Sequence, residues 1–409
     1  MIPGMAQDEQ INPKMLLWAR ETAGLSVEEA ADKLGLKDTA RARGIDKLRA
    51  LEAGDRTPSR TQLLKAAAVY RRPLIAFYLP EPPRRGQRGE DFRAVTGTVS
   101  ARDNGILDAL LREIRARQQM LRHVIEDEDE ALRLPFVASA RREHGAAAIA
   151  SAIRKSLGIT EHQQRLAKGS AGLFSLLRDA AEGIGVYVLL AGDLGSYHSD
   201  ISEEIFRGIA LADDVVPFVV INDNDAMPAR AFTLVHELAH IWIGASGVSG
   251  PLRELPDNAI ERLCNDIAGE FLLPSKAVPD MSYLRDAEEQ VVLDSTERLA
   301  NTWNVSQAVV TYRFAQKNWI RPDVASDLFA LFAERWRREK QRIRTARGSE
   351  QTGPSYYVVR RNRLGAALLG VVRRALQGET ITHTRAARIL GVSPSSVEQL
   401  LQERGARAA

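Results

Sequence analysis

The chain has 409 residues, 44% hydrophobic and 27% charged, with 56 Lys and Arg against 53 Asp and Glu, and a single cysteine. That composition excludes collagen-like, mucin-like and wholly disordered chains, and the near balance of charge confines any basic surface to a local patch. At ~150 residues per domain the length predicts two to four domains, and one cysteine allows no intramolecular disulfide.

Residues 12–79 read as short helices. Met15, Leu16, Trp18 and Ala19 recur at helical spacing, Gly24 stops the run, and Ser26 caps the next helix with Glu29 completing a capping box. A helix over 61–70 follows the turn at 54–58, and the Pro/Gly-dense stretch 80–89 marks a boundary. The reading is a first domain over 1–80 and a linker over 81–95. A long amphipathic helix over 103–130 comes next, then helices over 151–157 and 171–181. Three β-branched-rich segments, 185–190, 205–211 and 217–222, predict strands. Helices follow over 230–243 and 257–273, and the chain reads helical from Ser295 onward. A basic run over 335–347, a loop over 348–354 and a helical module over 363–402 complete it. The predicted domains are thus 96–330, with its helical tail, and 331–409. The fold class is α+β, mostly helical, with a small sheet.

The most informative residues are His236-Glu237-Leu238-Ala239-His240. Histidines at i and i+4 project from one helical face and can ligate one zinc ion, with the glutamate beside them placed to take a proton from water. A catalytic zinc needs a third protein ligand. The spacing that would put a histidine six residues after His240 finds Ser246 instead. A glutamate on the following helix is the alternative, and Glu261 is the choice, with Glu254, Asp257 and Asp266 as rivals. Asn265 lies one turn after Glu261, where it can hold a ligand histidine. Cys264 offers a thiolate one turn from Glu261, or simply a small buried side chain. Arg230, Tyr197 and His198 are candidates for hydrogen-bonding a developing negative charge, with Arg230 alternatively anchoring the helix start.

The stretches VVIN, RAFTLVHELAH and ERLCNDIAGEFLLP together resemble the ImmA/IrrE family of zinc metallopeptidases. The resemblance implies a zincin-like, gluzincin-type catalytic domain paired with helix-turn-helix modules, with the third zinc ligand at Glu261. The segment 299–319 fits the family's helical tail, and Asp91-Phe92-Arg93 fits a motif of one subset. Alanine usually stands where this chain has Cys264. Several members cleave a partner repressor or antitoxin.

Helix-turn-helix patterns occur at both ends. Ala387, Gly391 and Val397 satisfy the pattern near the C-terminus. Near the N-terminus Ala31 and Gly35 fit, but Arg41 stands at the apolar position, so an enlarged turn is predicted, with the second helix starting near Arg43. This module resembles the phage-repressor (XRE-like) class. Arg41, Arg43, Lys47 and Arg49 are candidate DNA contacts, or the module docks or dimerises instead. A third pattern spans 301–313, with Asn304 in place of glycine. The basic run, including Arg337, Arg338, Arg342 and Arg344, faces only Glu334 and Glu339 nearby. It reads either as a solvated helix face or as a nucleic-acid surface.

The resulting expectation is a zinc-dependent endopeptidase acting on a partner repressor or antitoxin in a stress, phage or mobile-element response. DNA and a second copy of the chain are further candidate partners. The alternative is a DNA-binding regulator or antitoxin whose zinc domain is not catalytic. Neither a secretory signal nor an apolar run of ~20 residues is evident, so the expected setting is the cytoplasm, away from membranes. A strand near 219–222 is expected to run beside the histidine-bearing helix and to pair with substrate.

Overall fold

The computed structural model describes residues 11–83, 100–194, 199–250, 258–347 and 355–402. Contacts divide the chain into two compact units, residues 1–88 with 96–114 and residues 89–95 with 115–409. Residues 96–114 thus group with the first unit, and residues 331–409 group with the second.

The first unit contains helices α1 (Pro13–Thr22), α2 (Val27–Leu34), α3 (Gly44–Ala53) and α4 (Arg60–Val69). Ser26 and Glu29 form the capping box that starts α2, and Gly35 ends it in the left-handed region at φ +70°. The turn to α3 is long. It closes on Gly44, where a Cβ would fall 1.9 Å from the Leu36 carbonyl oxygen, so only glycine admits that approach. Met15, Leu16, Ala31, Leu48, Leu63 and Phe77 belong to one apolar core. Beside it Arg20 grips Glu52 through Nε and Nη2, at 2.7 and 3.2 Å.

Helix α5 (Ala101–Asp127) contributes residues to both units. In the second unit it precedes α6 (Ala146–Leu157), α7 (Glu161–Arg165) and α8 (Gly169–Gly183). Strands β1 (Tyr187–Leu190), β2 (Gly208–Leu211) and β3 (Phe218–Ile221) lead into α9 (Met227–Ile243). A fourth strand, β4 (Gly247–Ser249), follows, then α10 (Ala259–Leu272), α11 (Glu289–Trp303), α12 (Gln307–Gln316) and α13 (Pro322–Arg347). The chain continues through α14 (Tyr356–Leu364), α15 (Ala366–Gln377), α16 (His383–Leu390) and α17 (Val397–Leu401).

The sheet order is β1-β3-β2-β4. β3 runs parallel to β1 and antiparallel to β2, and β2 pairs antiparallel with β4. This corrects the expectation that a strand near 219–222 receives substrate. β3 already has a neighbour on each side, so its backbone groups are committed to β1 and β2. Every residue of the four strands is buried, which explains why β1, β2 and β3 read as continuous apolar runs rather than alternating ones.

The predicted turn residues recur in the second unit. Asn304 takes φ +57° between α11 and α12, doing what glycine does at such a turn, and Gly391 takes φ +63° after α16. Helices α14 and α15 sit against α8 and β1. Arg363 bridges Asp193 and Asp223 at 2.7 Å each, Arg178 donates to the Asn362 carbonyl at 2.8 Å, and Glu182 accepts from the first two backbone amides of α15. A carboxylate at a helix N-terminus satisfies amides that no carbonyl within the helix reaches.

Candidate metal centre

The site is built on α9. Ahead of it, Asn222 donates to the carbonyls of Ile201 and Phe206, and Asp225 Oδ1 accepts from the amide of Ala226. The Arg230 guanidinium donates to the carbonyls of Asp223 and Asp225, so its bonds serve the start of the helix. Gly244 ends α9 in the left-handed region at φ +79°. Residues 231–242 are all buried, as a helix packed on both faces requires.

Helix α10 starts from Asn258, whose side chain accepts from the Ile260 amide, and packs against α9. Glu261, Cys264 and Asn265, at i, i+3 and i+4, share one face of α10. The Nε2 atoms of His236 and His240 lie 3.2 Å apart, Glu261 Oε2 lies 3.2 Å from His236 Nε2, and Glu261 Oε1 lies 3.2 Å from His240 Nε2. Two imidazole nitrogens and a carboxylate gathered this closely are the donor types that a small divalent metal takes. The donor set therefore fits a small divalent metal. Asn265 hydrogen-bonds His236. The Sγ of Cys264 and the two histidine donor atoms lie within 4.8 Å of one another, so His236, His240 and Cys264 are also a group able to hold a metal. Glu261, whose two oxygens each approach one histidine, and Cys264 are thus the two candidates for a third donor.

The remaining predicted residues fall elsewhere. Asp266 is turned toward α12, held by Tyr312 Oη at 2.6 Å and Gln316 Nε2 at 2.5 Å, which removes it as a rival. Glu254, Asp257, Tyr197, His198 and the motif 91–93 lie outside the described residues. Arg41, Arg43 and Arg49 are exposed on the first unit; Arg43 stands just before α3 and pairs with Asp46, and Lys47 donates to the Lys37 carbonyl. On α13, Arg337 and Arg338 pair with Glu334 and Arg342 with Glu339, while the side chain of Arg344 is outside the described set.

Glu237 is fully buried against the paired residues Gly208 of β2 and Ser249 of β4. Its Oε1 accepts from Ser249 Oγ at 2.5 Å, and its Oε2 has no hydrogen-bond partner among the described residues. A Cβ at residue 208 would fall 2.2 Å from Glu237 Oε1, so Gly208 makes the room this carboxylate occupies. Burial pushes the Glu237 carboxyl above its usual range against the pull of the two histidines. For Glu261 burial acts the same way, but hydrogen bonds from His236 and His240 win and hold it well below that range. Burial works to lower His236, and its bond to Glu261 outweighs this, so the net shift is upward. One carboxylate suited to holding a cation thus stands near another suited to holding a proton.

Neither Ser249 nor Gly208 is evident from the sequence pattern. A short strand right after the helix, and a glycine opening the strand expected over 205–211, are the signals that point toward them.

The chain is α+β and mostly helical with a small mixed sheet, and its paired histidines and carboxylates define the class of a zincin-like, metallopeptidase-type domain. Residues 182–315 match the family model described as the IrrE N-terminal-like domain, Peptidase_M78. The match supports the resemblance to the ImmA/IrrE family over that segment, which carries the sheet, α9, α10 and α12, and it supports a metallopeptidase-type function. No curated protein and no solved structure matches the chain. Among the described residues no helix is long and apolar enough to cross a membrane.

Proposed function

We propose that the chain is a zinc-dependent endopeptidase of the His-Glu-x-x-His type, gluzincin-like in its ligand set, that cleaves a partner protein of the repressor or antitoxin kind in the cytoplasm. The observation that carries the reading is the gathering of His236 Nε2, His240 Nε2 and the Glu261 carboxylate within 3.2 Å contacts, with a buried carboxylate, Glu237, beside them. His236, His240 and Glu261 would hold the zinc, with Asn265 orienting His236. Zinc there supplies Lewis acidity, polarising a substrate carbonyl and acidifying a water molecule.

The protein's own part is positioning and proton transfer. Glu237 Oε2 is the atom left to receive a proton from the attacking water and to return it to the leaving amine, because Ser249 occupies Oε1. Burial favours the protonated carboxyl, which suits a group that must hold a proton between the two transfers. Substrate pairing at β3 is excluded by its two neighbours. The reading extends to DNA as a second partner through the exposed arginines of α13.

Stoichiometric metal analysis of the purified chain, followed by chelation and re-addition of zinc, tests the reading. About one zinc per chain, with cleavage lost on chelation and restored by zinc, is the expected result. Full cleavage by the metal-stripped protein would overturn it.

A further inference from the structure

Helix α10 carries two chemically different donors on one face. Glu261 offers a hard carboxylate, each of whose oxygens approaches one histidine. One turn later Cys264 offers a soft thiol, fully buried and, as the single cysteine, unable to form a disulfide within the chain. Its Sγ and one ligand nitrogen each of His236 and His240 all lie within 4.8 Å of one another. Three ligating side chains from two helices therefore converge.

The two histidines are not held alike. Asn265 hydrogen-bonds His236. His240 is fully buried, and its Nδ1 has no hydrogen-bond partner among the described residues. A buried nitrogen left unpaired is a standing cost, and this ring can turn toward the thiol without breaking a bond at Nδ1.

We infer that His236, His240 and Cys264 form a second donor set, which takes a soft monovalent ion, copper(I), in place of zinc. Thiolate and imidazole ligands suit copper(I), whereas a carboxylate suits harder ions. The thiol releases its proton to solvent as the copper–sulfur bond forms, and the single charge of copper(I) is cancelled by the thiolate. Such a neutral pair suits the apolar core that Cys264 shares with Ile267, Ala268 and Phe271. Both donor sets use the same two histidines, so one metal excludes the other. The inference rests on the proposed metal site for those histidines and adds its regulation: zinc held through Glu261 leaves the site competent, and copper(I) held through Cys264 displaces it.

Anaerobic titration of the metal-free full chain with copper(I), against bicinchoninate as competing chelator, tests this. Wild type is expected to take about one copper(I) per chain and to gain the ultraviolet absorption of a copper–thiolate bond. Cys264→Ala and Cys264→Ser should lose that absorption while still binding zinc. Their copper(I) affinity should fall by more than about a hundredfold, beyond the cost of losing an outer-shell partner. Glu261→Gln should show the opposite pattern, weakened in zinc and unchanged in copper(I). Copper(I) left with the chelator by wild type, or held equally tightly by wild type and both cysteine variants, would overturn the inference. Copper(I) bound through Cys264 by a chain that takes no zinc would uphold it and count against the peptidase reading instead.

Discussion

Ser249 Oγ donates to Glu237 Oε1 at 2.5 Å, so the strand that follows α9 turns back to hold that helix's own carboxylate. Gly208, on the neighbouring strand, leaves the space the carboxylate fills. Ser249→Ala should keep the metal yet lower turnover by about tenfold, because a buried acceptor left without its donor costs about 1–3 kcal/mol and the carboxylate loses its fixed orientation. Gly208→Ala should do more damage, since the added Cβ displaces Glu237, with a stability loss of about 1–3 kcal/mol. Metal content, kcat and thermal unfolding of the two variants check both statements.

The ligand assignment has its own test. With Glu261 proposed as the third donor, His236→Ala, His240→Ala and Glu261→Ala should each lose most of the bound zinc, whereas Cys264→Ala should retain it. Loss of zinc from Cys264→Ala with retention in Glu261→Ala would reverse the assignment.

Stability toward acid follows from Asp213. Burial alone would raise its carboxyl, but the amides of Val215 and Val216 and the Arg122 guanidinium hold it below the usual range. The unfolded chain therefore binds more protons at this residue than the native one. The stabilisation is fully present above the unfolded value of about 3.9 and is lost as pH falls through the lower folded value. Asp213→Asn should lower Tm at neutral pH, and the gap from wild type should narrow below about pH 4. Melting curves across that range decide it.

For the proposed contact with DNA, the exposed pairs of α13 are the relevant ones. Ion pairs such as Arg338–Glu334 at 2.8 Å are weak in water and can exchange carboxylate for phosphate. Binding is expected at ~50 mM salt and micromolar protein, falling steeply as salt rises. Replacing Arg337, Arg338, Arg342 and Arg344 by Gln should flatten that slope, while Arg41→Ala and Arg43→Ala should alter sequence preference if the first unit reads bases. Titration of labelled duplex at two salt concentrations measures this, and no binding at low salt would remove DNA from the account.

What could be read from the sequence was local. The histidine pair is an i, i+4 relation on one helix; the capping box runs only from Ser26 to Glu29; and the left-handed turns at Gly35, Asn304 and Gly391 need only their neighbours. Long-range pairing was not legible. The basic run on α13 looks opposed only by its own glutamates, yet Lys340 is paired with Glu203, 137 residues away. The position of β3 inside the sheet depends on β1 and β2 together, which is why the expected substrate strand was misplaced. β4 is three residues long, too short to carry an alternating pattern, and with it went Ser249.

The most direct test of the central claim compares new protein N-termini in host lysate treated with wild-type chain and with Glu237→Gln, after verifying equal metal content. An amide at residue 237 cannot accept a proton from water, so the variant should stay folded and metal-loaded but inert. The account predicts new termini on one or a few proteins with wild type and none with the variant. The same termini at the same rate from both would contradict it.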